Sequence, residues 1–283
     1  MNKIQQYYRK YWLLRWLWWL GVVIPGVPFI LVTLGILISM HWPKDYQSLL
    51  NISLDAEVEY FTFSAHGVKD TPASWSDELQ QTYSQWQHLE LNQIRSQHVS
   101  FGWQPYSDSV FNCSVDGKKI GFELGEKLSQ LPKLKAVHLI GHSCGSFVVF
   151  GLCEALKENR KDVVVQTTYL DPVSVYSGFS WDYGVENFGR CADFSDAYID
   201  IHDTVPGSNQ ALLHAITFDV TQTRITNNLN YAPHAWPTMF YSNALKQQQV
   251  PIYFKSSKPF GVAIQKNTLI PWELSKKQRT GLE

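Results

Sequence analysis

Five residues in the middle of the chain, Gly141-His142-Ser143-Cys144-Gly145, have the Gly-x-Ser-x-Gly spacing of a nucleophile elbow. In that pattern a serine occupies a sharp strand-to-helix turn, and the flanking glycines keep side chains out of the way. The neighbouring sequence fits. Residues 136–140 are an apolar run suited to a short buried strand, and residues 147–152 open an apolar helix. A serine so placed stands above the sheet at the positive end of the new helix. As a nucleophile it needs a base to take its proton and an acid to orient that base.

On a doubly wound sheet such groups collect at the carboxyl ends of strands, and they follow the serine in the order acid, then histidine. Two acids qualify by position. Asp171 closes the apolar run 163–170, and Asp203 lies in His202-Asp203-Thr204-Val205-Pro206. The bland readings are a turn aspartate before proline and a capping residue, and position alone does not choose between the two acids. Three histidines lie downstream of Ser143. His202 adjoins a candidate acid and points away from it, and His214 lies in an apolar setting suited to a packed core histidine. His234, in Tyr231-Ala232-Pro233-His234-Ala235-Trp236-Pro237, occupies a loop ahead of the last helix, where the base belongs. The developing oxyanion needs backbone donors. The amide of Cys144, directly after the nucleophile, is one; the amide of Val68, in His66-Gly67-Val68 after an early strand, is the other. His66 itself reads as a residue that holds this loop.

The elements that position these residues can be read in order. Strands are expected at 58–63, 99–103, 136–140, 163–170 and 197–202, and helices at 75–91, 116–131 and from 147 onward. Alternating strands and helices imply an α/β fold with a doubly wound, mostly parallel sheet covered on both faces. The expected division is an N-terminal basic and aromatic segment with a membrane anchor at 1–45, a linker at 46–57, a catalytic domain at 58–250 and a peripheral tail at 251–283, basic at Lys276, Lys277 and Arg279.

The anchor rests on composition. The 283 residues include 24 basic and 25 acidic ones, a balance that gives no support for nucleic-acid binding. Aromatic residues reach 14%, with 11 Trp, many of them near the N-terminus, and Trp and Tyr favour membrane–water interfaces. Residues 16–40 carry no charge. As a helix this run is about 37 Å long, enough to cross a hydrocarbon core of about 30 Å with some tilt. Lys3, Arg9, Lys10 and Arg15 precede it, which places the N-terminus in the cytoplasm and the catalytic domain on the far side. No Ala-x-Ala-like site follows, so an uncleaved anchor is expected. The alternative is that Pro25-Gly26-Val27-Pro28 bends the run into a hairpin and leaves the domain cytosolic. The triplets Asn51-Ile52-Ser53 and Asn112-Cys113-Ser114 fit the outside reading. Four cysteines, Cys113, Cys144, Cys153 and Cys191, lack Cys-x-x-Cys spacing, so no metal site is expected and the proposed chemistry needs no cofactor. Cys144 and Cys153 share one helix too far apart to pair, and Cys113 with Cys191 is the disulfide to consider first.

Taken together the motifs resemble the pancreatic-lipase family of α/β-hydrolases. Its oxyanion loop is similar to His66-Gly67-Val68 leading to Trp75, its elbow strand to Val137-His138-Leu139-Ile140-Gly141-His142-Ser143, and its Leu-Asp-Pro to Leu170-Asp171-Pro172. A further stretch of the family resembles Ser195-Asp196-Ala197-Tyr198-Ile199-Asp200-Ile201-His202, and the histidine before an aromatic helix matches His234 before Phe240-Tyr241. The resemblance covers about residues 58–245 and implies an α/β-hydrolase fold, a Ser143–His234–Asp171 triad with Asp203 as the alternative acid, and hydrolysis of lipid or other carboxylic esters. Three departures matter. Residues 221–228 are short and polar where the family has a long lid, no lipid-binding β-sandwich is expected, and Cys144 and Ser146 replace the usual Leu and small residue. A short lid favours a phospholipid or short ester over emulsified triglyceride. Residues 173–188, with Tyr176, Phe179, Trp181 and Tyr183, are apolar enough to meet an acyl chain. An acyltransferase or thioesterase could use the same residues, and a non-catalytic binding protein could share the fold.

Overall fold

The computed structural model describes residues 3–90, 95–227, 229–250, 252 and 266–273, the side chains of 3–9 and 86–90 excepted. The chain divides into two compact units, Met1–Lys44 and Asp45–Glu283. The first consists of α1 (Lys3–Trp18), a π-helical turn (Trp19–Val23) and α2 (Ile24–His41). Its stretch Lys10–His41 is long and apolar enough, by length and composition, to cross a membrane. The hairpin is not formed, because the helix continues through Pro25 and Pro28. Proline lacks an N–H and crowds the carbonyl four residues earlier. The π turn just upstream absorbs this change of bonding, with the Ile24 N–H reaching back five residues to the Trp19 carbonyl.

In the second unit a short α3 (Gln47–Leu50) precedes β1 (Tyr60–Ala65), α4 (Ser76–Glu90), β2 (Ser96–Phe101), α5 (Cys113–Ser129), β3 (Ala136–His142) and α6 (Gly145–Asn159). Then follow β4 (Val164–Leu170), α7 (Tyr183–Asn187), β5 (Phe194–Ile199), β6 (Ile216–Asp219), α8 (Thr221–Thr226), α9 (Trp236–Lys246) and β7 (Thr268–Pro271). The strands form one sheet in the order β2-β1-β3-β4-β5-β6-β7, and every described pairing is parallel. Residues along each central strand serve two cores. Leu139 joins Phe61, Phe63, Phe147, Phe150 and Val165 on the α5–α6 side, whereas Ile140 joins Leu79, Leu170, Tyr198, Phe218 and Tyr241 on the α4–α9 side. This is the period-two alternation of a strand buried on both faces. Register aligns the carboxyl ends: His142 lies beside Leu170, Leu170 beside Tyr198, and Tyr198 beside Phe218. The loops that follow therefore emerge along one edge of a doubly wound parallel sheet.

Several boundaries differ from the sequence reading. β2 and β5 begin earlier than expected, and β6 and β7 are additional strands only four residues long. Residues 46–57 are not a free linker: Tyr46 and Leu50 are buried, and the Tyr46 hydroxyl donates to Asp116 at 2.9 Å. The tail contributes β7, while Lys276, Lys277 and Arg279 lie outside the described residues, as does Leu91 at the end of the expected 75–91 helix. The disulfides are Cys113–Cys144 and Cys153–Cys191, each with a Cα separation of 6.0 Å, so the expected Cys113–Cys191 pair does not form. The reason is geometric. α5 and α6 run side by side in the same direction, so the start of one meets the start of the other, and Cys153 faces the turn before β5.

That helix pair depends on close backbone approach. A Cβ on Gly121 would collide with the carbonyl oxygen of Val148, and one on Gly151 with that of Lys118. Backbone cannot swing aside as a side chain can. Gly121→Ala is therefore expected to force α5 away from α6 and destabilise the protein by about 3 kcal/mol or more, measured by denaturant unfolding in detergent. An unchanged midpoint would show that the two helices tolerate separation.

Candidate active site

Ser143 is the first residue after β3, and its φ of 54° lies in the left-handed region. Its N–H donates to the Leu170 carbonyl at 3.0 Å, while its own carbonyl accepts from Ser146 N–H at 3.2 Å as α6 begins. A Cβ on Gly145 would strike the carbonyl oxygens of Ala65 and His66, so only glycine lets the helix start this close to β1. The sharp turn leaves the Ser143 hydroxyl 2.9 Å from His234 Nε2.

His234 lies in a short 3-10 turn, Pro233–Ala235, directly before α9. Three contacts hold the segment. The Trp236 indole N–H donates to the carbonyl of Val220 at 3.0 Å, His142 Nε2–H donates to the carbonyl of His234 at 3.0 Å, and the rings of His142 and His234 lie 4.9 Å apart. Burial lowers His142 to about 4, helped by the neighbouring His234, so His142 is neutral at ordinary pH and its Nε2 carries the proton.

The imidazole of His234 turns its other nitrogen to Asp203, with Nδ1 2.8 Å from Oδ2. The Asp171 carboxylate is 3.7 Å from the same nitrogen. The resemblance alone favoured Asp171; the hydrogen bond runs to Asp203, the alternative acid. The physical reason lies in what each carboxylate can hold. Asp203 accepts from His234 and the Ser208 hydroxyl on one oxygen, and from the N–H groups of Thr204 (2.8 Å) and Val205 (3.3 Å) on the other. Burial works to raise its carboxyl, but the bonds from His234 and Ser208 outweigh this and hold it below the ordinary value. Asp171 accepts one bond, from the Asp200 N–H at 3.1 Å, and its Oδ2 is buried with no hydrogen-bond partner among the described residues. Burial and then the charge of Asp203 push the Asp171 carboxyl well above its ordinary value. Because an ionised Asp203 only accepts, His234 Nδ1 carries the proton and Nε2 presents a lone pair to Ser143.

The loop after β1 approaches from the other side. A Cβ built on Gly67 would lie 3.3 Å from Ser143 Oγ, so Gly67-Val68 borders the hydroxyl. His66 does not face the serine. Its Nδ1–H donates to the Gly67 carbonyl at 2.9 Å and its Nε2 accepts from Trp103 N–H at 3.4 Å, a pair of bonds satisfied by one neutral tautomer. Cys144 starts α6, its side chain bonded to Cys113. Of the residues expected here, Ser143, His234, Asp171, Asp203, Val68 and Cys144 all lie at this edge, whereas the segments carrying His202 and His214 supply nothing to Ser143 among the described hydrogen bonds. The sequence reading missed Ser208, which nothing local distinguishes, and the bond from His142, a residue inside the elbow motif itself.

Among the described residues one trio has metal-ligand spacing, Asp171, Asp203 and His234, with ligand atoms within 4.8 Å of one another. An ion there would displace the proton that His234 Nδ1 shares with Asp203, so the hydrogen-bonded relay and a metal site are mutually exclusive uses of these atoms.

No protein-family description matches the chain, and no curated protein matches it. Among solved structures it is similar to a candidate hydrolase of the alpha/beta superfamily from Xanthomonas campestris pv. campestris, with a TM-score of 0.41 and 10% identity over 67% of this chain and 97% of that one. A gene product of Listeria innocua gives 0.44 and 10% over 75% and 98%. A Trichoderma reesei cutinase in complex with a phosphonate inhibitor gives 0.33 and 15% over 79% and 86%. Likenesses at this level say nothing about the chemistry of this chain.

The two carboxylates separate by experiment. Asp203→Asn is expected to lower kcat by about a thousandfold or more, since an Asn there disfavours the required tautomer, and Asp171→Asn by less than about tenfold. Stability separates them by pH as well. Because Asp171 is raised, its contribution is full below its unfolded value near 4 and is lost as pH rises through its folded value, so Asp171→Asn should gain on the wild type as pH rises. Asp203 is lowered, so its contribution is present above pH ~4 and lost on acidification, and Asp203→Asn should lose stability at neutral pH. Ester turnover together with thermal unfolding across pH checks both; a larger activity loss in Asp171→Asn would reverse the assignment.

Proposed function

We propose that this chain is a membrane-anchored serine hydrolase that cleaves carboxylic esters, lipid esters among them, through an acyl-enzyme. The observation that carries this reading is the unbroken relay from Ser143 Oγ to His234 Nε2 at 2.9 Å and from His234 Nδ1 to Asp203 at 2.8 Å. In the proposed mechanism Ser143 attacks the ester carbonyl as His234 takes its proton, and Asp203 stabilises the imidazolium that forms. The amides of Val68 and Cys144 receive the oxyanion. His234 then gives the proton to the leaving alkoxide, and a water deprotonated by the same nitrogen releases the acyl group.

Support for an apolar substrate comes from the rim. Val110 and Phe111, after β2, and Phe179 and Trp181, after β4, are exposed on loops at the carboxyl edge of the sheet, and Ser177 N–H donates to Ser114 Oγ at 3.0 Å to join the two regions. Where a long lid would stand, α8 is a six-residue helix of largely polar composition. That favours a phospholipid or a short ester over emulsified triglyceride, and the kinship with pancreatic lipases rests on the motifs alone. Two disulfides among four cysteines support a catalytic domain on the non-cytoplasmic side, where such bridges persist. Tethering there would raise the effective concentration of the site at a lipid surface.

A fluorophosphonate probe should label the purified wild type at one serine and leave Ser143→Ala unlabelled, with hydrolysis of a simple ester falling by about a millionfold in kcat or to background. Labelling that survives the substitution would overturn the mechanism. For topology, the catalytic domain should resist protease added to sealed membranes from the cytosolic side and become digestible on permeabilisation; digestion of the sealed preparation would place it in the cytosol.

A further inference from the structure

The two proposed oxyanion donors come from different parts of the chain, Val68 after β1 and Cys144 after β3. One segment, residues 103–113, touches both, and it is buried at Trp103, Ser107 and Cys113. On the Val68 side, Trp103 is bonded twice to His66, by its backbone N–H to Nε2 at 3.4 Å and by its indole N–H to the carbonyl at 2.9 Å, and Lys69 N–H donates to the Ser107 carbonyl at 3.2 Å. These bonds bracket Gly67-Val68 from before and after. The same segment then winds through consecutive turns: Tyr106 and Ser107 N–H donate to the Trp103 carbonyl, Asp108 N–H to that of Pro105, and Asn112 and Cys113 N–H to that of Ser109. It ends at Cys113, the first residue of α5, which is bonded to Cys144. Trp103, Ser107, Cys113 and Cys144 are all buried. Hydrogen bonds at one end and a covalent bond at the other thus make this segment a strap from the Val68 loop to Cys144.

We propose that the Cys113–Cys144 bridge is a positioning element of the oxyanion hole, setting the Cys144 amide at its distance from the Val68 amide, so that ester turnover depends on the bridge. The inference rests on the serine-hydrolase reading. It assigns Cys113 a positioning role and distinguishes this bridge from Cys153–Cys191, which ties the third turn of α6 to the turn before β5 and reaches neither donor. Cutting the first bridge leaves the segment held at the Val68 end alone. An amide displaced by about 1 Å is worth on the order of a hundredfold in rate, whereas ground-state binding of an ester, which makes little use of the hole, changes less.

The test uses full-length protein in detergent. Cys113→Ala, Cys144→Ala and the double variant are each expected to lower kcat by about ten- to a hundredfold, with KM within about threefold. The three losses should be equal, since each removes the same bond. The Cys153→Ala/Cys191→Ala variant is the control: its unfolding temperature should fall while kcat stays within about twofold of wild type. Fluorophosphonate labelling of Ser143, whose phosphoryl oxygen also enters the hole, should slow in parallel with kcat. If the cysteine variants fail to fold, wild type treated with a phosphine and alkylated serves instead, with bridge cleavage counted by mass spectrometry and compared with residual kcat. Normal kcat with the first bridge cut, or an equal loss when only the second is cut, would overturn the proposal. A wild type that takes up no probe at Ser143 would instead refute the underlying hydrolase reading, so the two failures can be told apart.

Discussion

The active edge depends on a strained turn at the end of β3. Ser143 is held at a φ of 54°, where a side chain costs of order 1–3 kcal/mol. Three neighbours make the turn obligatory. The Leu170 carbonyl captures the Ser143 N–H, Gly145 brings α6 against the Ala65 and His66 carbonyls, and the glycines at the α5–α6 seam let those helices close up behind it. Asp171 repeats the device one strand over, with a φ of 41° and its N–H bonded to the Tyr198 carbonyl. Because the register sets His142 beside Leu170, two successive strands leave the sheet by similar reversals, and both deliver a polar side chain to the same spot. Strain at this edge is offset by the packing of the whole sheet.

That convergence creates an electrostatic problem, two carboxylates beside one imidazole. Like charges this close cannot both be ionised cheaply. The surroundings divide the labour. Asp203 lies on a loop whose N–H groups and Ser208 hydroxyl turn toward it, so its negative charge is solvated by the protein. Asp171 is fully buried with one donor, so the neutral acid is its easier state. In the proposed mechanism a neutral Asp171 keeps a second negative charge away from His234, while Asp203 stabilises the transient imidazolium.

Much of this was legible in the sequence, and the limits have physical causes. Ser143 is readable because a glycine-flanked serine between a buried strand and an apolar helix has few other uses. His234 is readable because a histidine between Pro233 and Trp236, before the last helix, falls where the base must enter. The choice of acid is not, since Asp171 and Asp203 both follow strands and differ only in donors that later loops bring to them. β6 and β7, at four residues each, are too short to show a period. Disulfide pairing is likewise a tertiary fact. It follows from two helices starting side by side, which no spacing of cysteines along the chain encodes. The buried Tyr46 and Leu50 show the same limit, because a short segment reads as linker until the surface that covers it is known.

The elbow dipeptide also does more than the motif implies. His142 and Ser143 are consecutive at a strand end, so their side chains leave in different directions. Ser143 meets the imidazole of His234 at Nε2, while His142 holds the backbone of the same residue by donating to its carbonyl. Ser143 and His234 are therefore registered to each other through adjacent positions of one strand end, and the His234 loop cannot drift without breaking that bond. With burial holding His142 down to about 4, the imidazole stays neutral and keeps one nitrogen protonated near neutral pH. A charged His142 4.9 Å from the His234 ring would oppose any positive charge on that imidazole, so the burial that keeps His142 neutral also removes this repulsion from the proposed base.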